Sequence, residues 1–306
     1  MQLRVLGSAA GGGFPQWNCG CANCSGLRAG TLRARARTQE SLAVSADGER
    51  WLLLNASPEI RAQIESFAPL WPRAKRHSPV SGIALTNGDL DHCLGLLSLR
   101  ESHPISIYAT AAVRRGFEEG NRLYGTLQRF PGQVRWRELA LGVETPLADP
   151  ETGADTALLL TALPIPGKLP IHLERLRAPS PEDNVGLRIR DAARRVTLAY
   201  LPAVAGPSSA VLEAVEGADC VFFDGTFWSS DELVAAGLGT RRAEDMAHWP
   251  VGGANGSLEL LAKLPGRRIL IHVNNTNPML REDGPQHAAV YAAGVEVAHD
   301  GLELRL

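Results

Sequence analysis

The stretch Ile83-Ala-Leu-Thr-Asn-Gly-Asp-Leu-Asp-His-Cys-Leu-Gly95 starts as an apolar run of buried-strand type and breaks at Asn87-Gly88, a turn signal. Two carboxylates and an imidazole follow at once, Asp89, Asp91 and His92. Leu94, Leu96, Leu97 and Leu99 then resume at spacings a helix can bury. A strand that delivers Asp-x-Asp-His onto the turn before a helix presents carboxylate oxygen and imidazole nitrogen together, the donors a hard-to-borderline metal ion prefers. The plainer account of the same residues is a polar turn in which Asp89 or Asp91 caps the helix.

Working outward, two more apolar strands end the same way. Cys220 to Phe223 runs into Asp224, and Arg268 to Ile271 runs into His272. Each alone has an ordinary explanation, Asp224 as a turn-forming residue and His272 as a satisfied histidine at a strand edge. Polar residues recurring at strand ends are how α/β folds build sites, because the loops outside those ends form the shaped crevice.

The remaining elements follow from local signals. Gln2 to Leu6 reads as a first strand running into the glycine-rich loop Gly7 to Gly13. Ser41 to Ser45 and Trp51 to Asn55 read as a hairpin around Asp47-Gly48, and Ser57-Pro58-Glu59 as a helix start. Ile105 to Ala109 is a strand and Thr110 to Glu119 a helix. Leu163-Pro-Ile-Pro-Gly-Lys-Leu-Pro170 is too proline-rich for a central strand and reads as an ordered loop bordering a pocket. Asn184 to Ile189 pairs with Arg195 to Leu201, Ser208 to Val215, Asp231 to Ala236 and Ser257 to Leu264 are helical, Glu244 to Pro250 is a loop, and Val295 to Ala298 and Leu302 to Leu306 are edge strands. Strands and helices alternate in both halves without a linker, so the expectation is one α/β domain over residues 1–306.

Three of the five cysteines fall in Cys19-Gly-Cys-Ala-Asn-Cys24. That crowding is unlike a disulfide framework in a chain of 306 residues and suits three thiolates of a tetrahedral zinc in one tight loop, with the fourth ligand supplied from elsewhere. A formal charge of −2 without a basic excess disfavours nucleic acid as a partner. The run Arg33-Ala-Arg-Ala-Arg37 reads as a solvated edge. No stretch approaches the roughly 18–20 apolar residues of a membrane span, and Met1 to Gly7 does not read as a signal peptide. The expectation is a cytoplasmic protein.

The order of these motifs resembles the metallo-β-lactamase fold superfamily, whose signature after a strand is His-x-His-x-Asp-His-x-x-Gly. Here Asn87 and Asp89 stand where the two leading histidines would be, while Asp91-His92-Cys-Leu-Gly95 is intact. Within it the chain is similar, nearly end to end, to the coenzyme PQQ synthesis protein B family. That likeness runs through Trp17 to Cys24, Arg37-Thr-Gln, Asn55-Ala-Ser-Pro-Glu-Ile, Pro166-Gly-Lys168, Phe223-Asp-Gly-Thr-Phe-Trp228 and His272-Val-Asn-Asn-Thr-Asn-Pro278.

The resemblance implies an αββα sandwich of two mixed β-sheets flanked by helices, and a part in making pyrroloquinoline quinone (PQQ) from a glutamate–tyrosine-derived precursor by oxygen-dependent hydroxylation of the tyrosine ring. It implies that the first superfamily metal site is weak or absent, and that Asp91, His92 and His272 hold one ion. Two histidines and a carboxylate with open positions suit Fe2+ and O2, with zinc able to substitute. Asp89 and Asp224 are further ligands or orienters, His248 is an acid/base or substrate-contacting residue, and Lys168 is a candidate for a substrate carboxylate. The zinc on Cys19, Cys21 and Cys24 is structural. Other proteins of the pathway are expected partners, and a homo-oligomer is compatible with the sequence. The rival readings are a metal-dependent hydrolase and a non-catalytic carrier moving PQQ or its precursor toward the periplasm.

Overall fold

The computed structural model describes residues 1–119 and 121–306. Strands β1 (Gln2–Gly7), β2 (Ser41–Ser45), β3 (Trp51–Leu54), β4 (Val80–Ala84), β5 (Ile105–Ala109) and β6 (Val134–Glu138) lie side by side in chain order. Strands β7 (Thr145–Ala148), β8 (Asp155–Pro164), β9 (Val185–Asp191), β10 (Val196–Leu201), β11 (Cys220–Asp224), β12 (Arg267–Ile271) and β13 (Glu296–Val297) do the same in a second sheet. Strand β14 (Glu303–Arg305) then returns to pair antiparallel with β1, so each sheet has seven strands.

Both sheets change character part-way. From β1 to β3 and from β7 to β10 neighbours are antiparallel; from β3 to β6 and from β10 to β13 they are parallel. Parallel strands need crossover connections, which place helices on the sheet faces. Helix α1 (Ala22–Arg28) lies between the antiparallel β1 and β2; the crossovers carry α2 (Ile60–Glu65), α3 (Leu90–Cys93), α4 (Ala111–Glu119), α5 (Ser209–Val215), α6 (Glu232–Ala235), α7 (Ser257–Leu261) and α8 (Pro285–Ala292).

The strand period of two sorts side chains into three apolar layers. Leu52, Leu54 and Ala84 of the first sheet meet Leu198, Tyr200, Phe222 and Ile271 of the second in the central layer. The opposite faces pack outward, Leu53, Ile83 and Ile107 against Ile60, Cys93 and Val113, and Leu201, Phe223 and Leu270 against Val211, Leu261 and Val290. This is the expected helix–sheet–sheet–helix sandwich of the metallo-β-lactamase fold.

Four local expectations need correction. Strand β8 continues through Leu163 and Pro164, and Pro164 is tolerated because it is the last residue of the strand, opposite Val185. Cys19 to Cys24 is not wholly a loop: Cys21 caps α1, its sulfur accepting the Cys24 N–H, and Cys24 lies inside the helix. Leu94–Leu99 is a 3₁₀ segment rather than a continuation of α3. Arg37 is not solvated; it is 5% exposed and donates to Ser8 Oγ and to the Ala298 carbonyl.

Candidate metal centre

The C-terminal ends of β4, β11 and β12 converge at one edge of the sandwich. Asn87 shapes the turn after β4, its Oδ1 accepting the Asp89 N–H at 2.9 Å and its Nδ2 donating to Asn184 Oδ1 at 3.2 Å. Asp89 precedes α3 but makes no cap hydrogen bond, so the capping explanation of this acidic turn fails for it. The α3 turn is locked onto the loop after β3 by the Ala56 N–H to the His92 carbonyl (2.7 Å) and the Gly95 N–H to the Ala56 carbonyl (2.9 Å). A Cβ at Gly95 would sit 2.1 Å from the Ser57 carbonyl oxygen, which explains why glycine ends the Asp-His-x-x-Gly pattern. Gly11 likewise lets the first glycine-rich loop close over Asp91: a Cβ there would lie 3.2 Å from Asp91 Oδ2.

His272, held at the end of β12 with a left-handed backbone (φ 59°), meets this turn across the sandwich. Its Nε2 is 3.1 Å from Asp91 Oδ2 and 3.2 Å from His92 Nε2, and His92 Nε2 is 3.6 Å from Asp91 Oδ2. Three donors bonded at about 2.1 Å to one ion, subtending 90–120°, would be about 3.0–3.6 Å apart, so the donor set fits a single metal ion.

A threonine faces the outer nitrogen of each ring, and at His92 Nδ1 it is joined by Asn55 Nδ2 at 2.9 Å. Thr226 donates its hydroxyl to Asp224 Oδ1 (2.6 Å), and its oxygen lies 2.7 Å from His272 Nδ1. Thr86 donates to Asn55 Oδ1 (3.2 Å), and its oxygen lies 3.0 Å from His92 Nδ1. For both Nε2 atoms to hold an ion, each ring must be neutral with its proton on Nδ1, which the Thr226 and Thr86 hydroxyl oxygens can accept.

Electrostatics keep Asp91 ready as a donor. Burial works to raise its carboxyl, but the charge of His92 and the hydrogen bond and charge of His272 outweigh it and hold it below the usual carboxylate range. Burial lowers His92 to about 4, against the pull of Asp91. Burial also works to lower His272, yet the hydrogen bond and charge of Asp91, with Asp224 and Glu40, raise it to about 8. Glu40 lines the same region, with Oε2 accepting Asn55 Nδ2 at 3.0 Å and Oε1 lacking a partner among the described residues; burial pushes it up to about 8.

Asp224 and His248 form a second group around His272. Asp224 Oδ2 accepts from His248 Nδ1 (2.7 Å) and from the Val204 N–H (2.9 Å), while Oδ1 accepts the Thr226 N–H (2.9 Å) and its hydroxyl. Both oxygens are thus occupied in orienting neighbours. His248 stacks on His272 with centroids 5.4 Å apart, and with Nδ1 given to Asp224 its Nε2 is the free nitrogen. Asp89, Lys168 and His248 border one small opening. Gly167, Lys168 and Asn184 continue it into a cleft of about 340 Å³ walled by Pro164 to Leu169 and Pro179 to Pro181, so the proline-rich segment does border a pocket. Burial and the Asp91 charge raise Asp89, against the pull of Lys168.

Every residue expected at the site except the cysteines therefore lies around this edge. The sulfurs of Cys19, Cys21 and Cys24 gather into a separate cluster, all within 4.8 Å of one another, and burial pushes Cys24 up to about 11. Sequence reasoning missed the residues that aim the ligands: Asn55, Thr86, Thr226 and Glu40. Three of them stand at strand ends in Asn55-Ala-Ser-Pro, Leu85-Thr86-Asn87 and Asp224-Gly-Thr226, but nothing local marks an amide or hydroxyl as a ligand's support.

The pattern of a beta-lactamase superfamily domain matches residues 50–273. Coenzyme PQQ synthesis protein B of Azotobacter vinelandii is 44% identical over 307 residues, covering all of both chains. The chain belongs to the coenzyme PQQ synthesis protein B family. The protein of that name from Pseudomonas fluorescens (strain Pf0-1) is also 44% identical, over 308 residues and all of both chains. The crystal structure of Zn(2+)-bound PqqB from Methylobacterium extorquens matches all of both chains at 43% identity with a TM-score of 0.91. A diphosphatase of the PhnP family, 21% identical with a TM-score of 0.66 over all of this chain and 97% of its own, shares the fold. The chain thus has a role in PQQ biosynthesis, on a fold that holds metal ions.

Proposed function

We propose that the chain is an iron- and oxygen-dependent hydroxylase acting on the tyrosine ring of a glutamate–tyrosine-derived precursor of PQQ. The observation that supports this most is the convergence of one carboxylate and two imidazole Nε2 atoms, Asp91, His92 and His272, within 4.8 Å of one another. Such a set leaves positions open and suits ferrous iron, although zinc competes for it because it binds such donors more tightly. Iron held there supplies the activation of oxygen that an aromatic hydroxylation requires. Insertion of one oxygen atom with the other leaving as water takes two electrons from an added reductant.

The chain's own residues supply position and protons. Thr86 and Thr226 keep the two rings turned to the ion. Asp224 holds Nδ1 of His248, which leaves its Nε2 to exchange a proton with the substrate or to contact it. Asp89 and Lys168 border the opening, where the Lys168 cation is placed for a substrate carboxylate. Cys19, Cys21 and Cys24 hold a structural zinc. The reading takes residues 1–306 as one working domain and places it in the cytoplasm; among the described residues no helix is long and apolar enough to cross a membrane.

The decisive experiment is anaerobic reconstitution with Fe2+, with metal counted per chain, followed by the dipeptide, a reductant and air. Hydroxylated tyrosine is the expected product, and its absence with iron bound sinks the reading. The Asp224–His248–His272 group is what favours the rival hydrolase; two ions about 3.5–4 Å apart in the loaded protein would establish that alternative. A carrier would bind its ligand equally well after Asp91→Ala.

A further inference from the structure

Glu40 sits beside the metal centre without joining its donor set. It is 1% exposed, its Oε1 finds no partner among the described residues, and its Oε2 accepts one hydrogen bond, from Asn55 Nδ2 at 3.0 Å. Oε2 also lies 3.9 Å from His92 Nε2, beyond hydrogen-bond reach. A carboxyl buried with a single hydrogen bond is costly, so that one bond is where its role lies.

Asn55 connects Glu40 to His92. Its backbone is left-handed (φ 60°), a conformation asparagine tolerates, and its amide lies between Glu40, Thr86 and His92. The Thr86 N–H, 2.9 Å from Asn55 Oδ1, fixes which end of that amide is oxygen, because a backbone amide only donates. The two hydrogens on Nδ2 then have three atoms in reach: Glu40 Oε2 and Thr86 Oγ1, each at 3.0 Å, and His92 Nδ1 at 2.9 Å. If His92 Nδ1 takes one of them, the ring's own proton must sit on Nε2, where the ion would bind. If Glu40 and Thr86 take both, Nδ1 keeps its proton and donates it to Thr86 Oγ1 at 3.0 Å, leaving Nε2 bare. The Thr86 hydroxyl donates to Asn55 Oδ1 at 3.2 Å, so in this second arrangement every hydrogen has an acceptor. Without Glu40, one buried amide hydrogen is left over and His92 Nδ1 is the acceptor that remains.

We propose that Glu40 is a positioning residue for metal binding: by taking one hydrogen of Asn55, it keeps the His92 proton on Nδ1 and the Nε2 lone pair turned to the ion. The proposal rests on the single-ion reading of Asp91, His92 and His272, and the experiment separates the two. The tautomer of His92 is read from proton–nitrogen correlation spectra of histidine-labelled protein stripped of metal at this centre, with His92→Asn assigning the signal. Zinc affinity at the centre is read by competition with a chelator, Asp91→Ala serving as the blank. Both are measured for the wild type, for Glu40→Gln, which keeps an acceptor oxygen, and for Glu40→Leu, which fills the space without one.

The expected result is a wild-type His92 with its proton on Nδ1, unchanged in Glu40→Gln and shifted toward Nε2 in Glu40→Leu. Zinc should bind Glu40→Leu at least about tenfold more weakly than the wild type, and Glu40→Gln within about threefold of it. A wild-type ring protonated on Nε2 overturns the proposal without any substitution, whether or not the variants fold. Glu40→Leu with the wild-type tautomer overturns it too. So does Glu40→Gln binding zinc as weakly as Glu40→Leu, since Glu40 would then act through its charge and not through Asn55. Wild-type protein with no Asp91-dependent zinc defeats the single-ion reading itself, and the proposal with it.

Discussion

Asp91, His92 and His272 reach one point from loops on two different sheets, whereas Cys19, Cys21 and Cys24 come from one short stretch at the start of α1. The first set offers hard and borderline donors that leave positions open, seated beside a cleft. The second offers soft thiolates already gathered by local backbone, with the Asn275 side chain against them. On the proposed reading the difference separates the tasks: the open set serves a substrate and a co-substrate, and the closed one holds chain segments together. Both sets touch the loop that runs from His272 to Asn277.

The sharpest way to break this comparison is to remove a ligand from each side. Asp91→Ala or His272→Ala should abolish iron binding at the open centre and bring oxygen-dependent turnover to background, with the cysteine zinc still counted in full. Loss of both metals together would show that the centres are one cooperative unit. A smaller effect is expected from His248→Ala, which should lower kcat by about 10²-fold and flatten the pH profile of turnover while iron content stays unchanged. Thr226→Val, which takes away the partner of His272 Nδ1, should weaken iron binding by about 10- to 100-fold, with Thr226→Ser restoring it. A titration of iron against each variant reads both outcomes.

The mildest prediction concerns the shared loop. Glu232 accepts from Thr276 and from the Trp228 N–H (2.7 Å), and burial, only partly offset by these bonds, raises it from the ordinary 4.5 to about 7. A carboxyl raised on folding is bound more tightly to its proton in the folded state. Its contribution to stability is therefore full below 4.5 and is lost as pH climbs through about 7. Melting temperature should fall across that window, and Glu232→Gln should reduce the fall. An unchanged slope in the variant would place the pH dependence elsewhere.

Much of the fold was legible for local reasons. The hairpin of β2 and β3 announces itself through Asp47-Gly48, β5 through Ile105, Ile107 and Tyr108, and α5 through the Ser208 cap, whose hydroxyl does accept the Val211 N–H. Helix α8 went unread although Pro285 opens it and Gly294 follows its end, both regular helix punctuation. Arg37 defeats a local reading because charge by itself implies solvent, whereas Ser8, the Ala298 carbonyl and the nearby Asp300 charge make its burial tolerable. At the site, the acids and histidines stood out by their chemistry. Thr86, Thr226, Asn55 and Asn275 did not, since hydroxyls and amides are common in turns and reveal a role only through what they touch.

By itself the sequence determined the ligand chemistry, the alternation of strands and helices, and the family, because residue identity and short-range spacing carry all three. Tertiary structure alone decided that His272 meets Asp91 and His92, that Asp224 spends its oxygens on His248 and Thr226, and that Asn275 stands over the cysteines. Those meetings join residues far apart along the chain. They depend on the order and facing of two sheets, which burial of apolar surface selects for the whole molecule at once and no local pattern spells out.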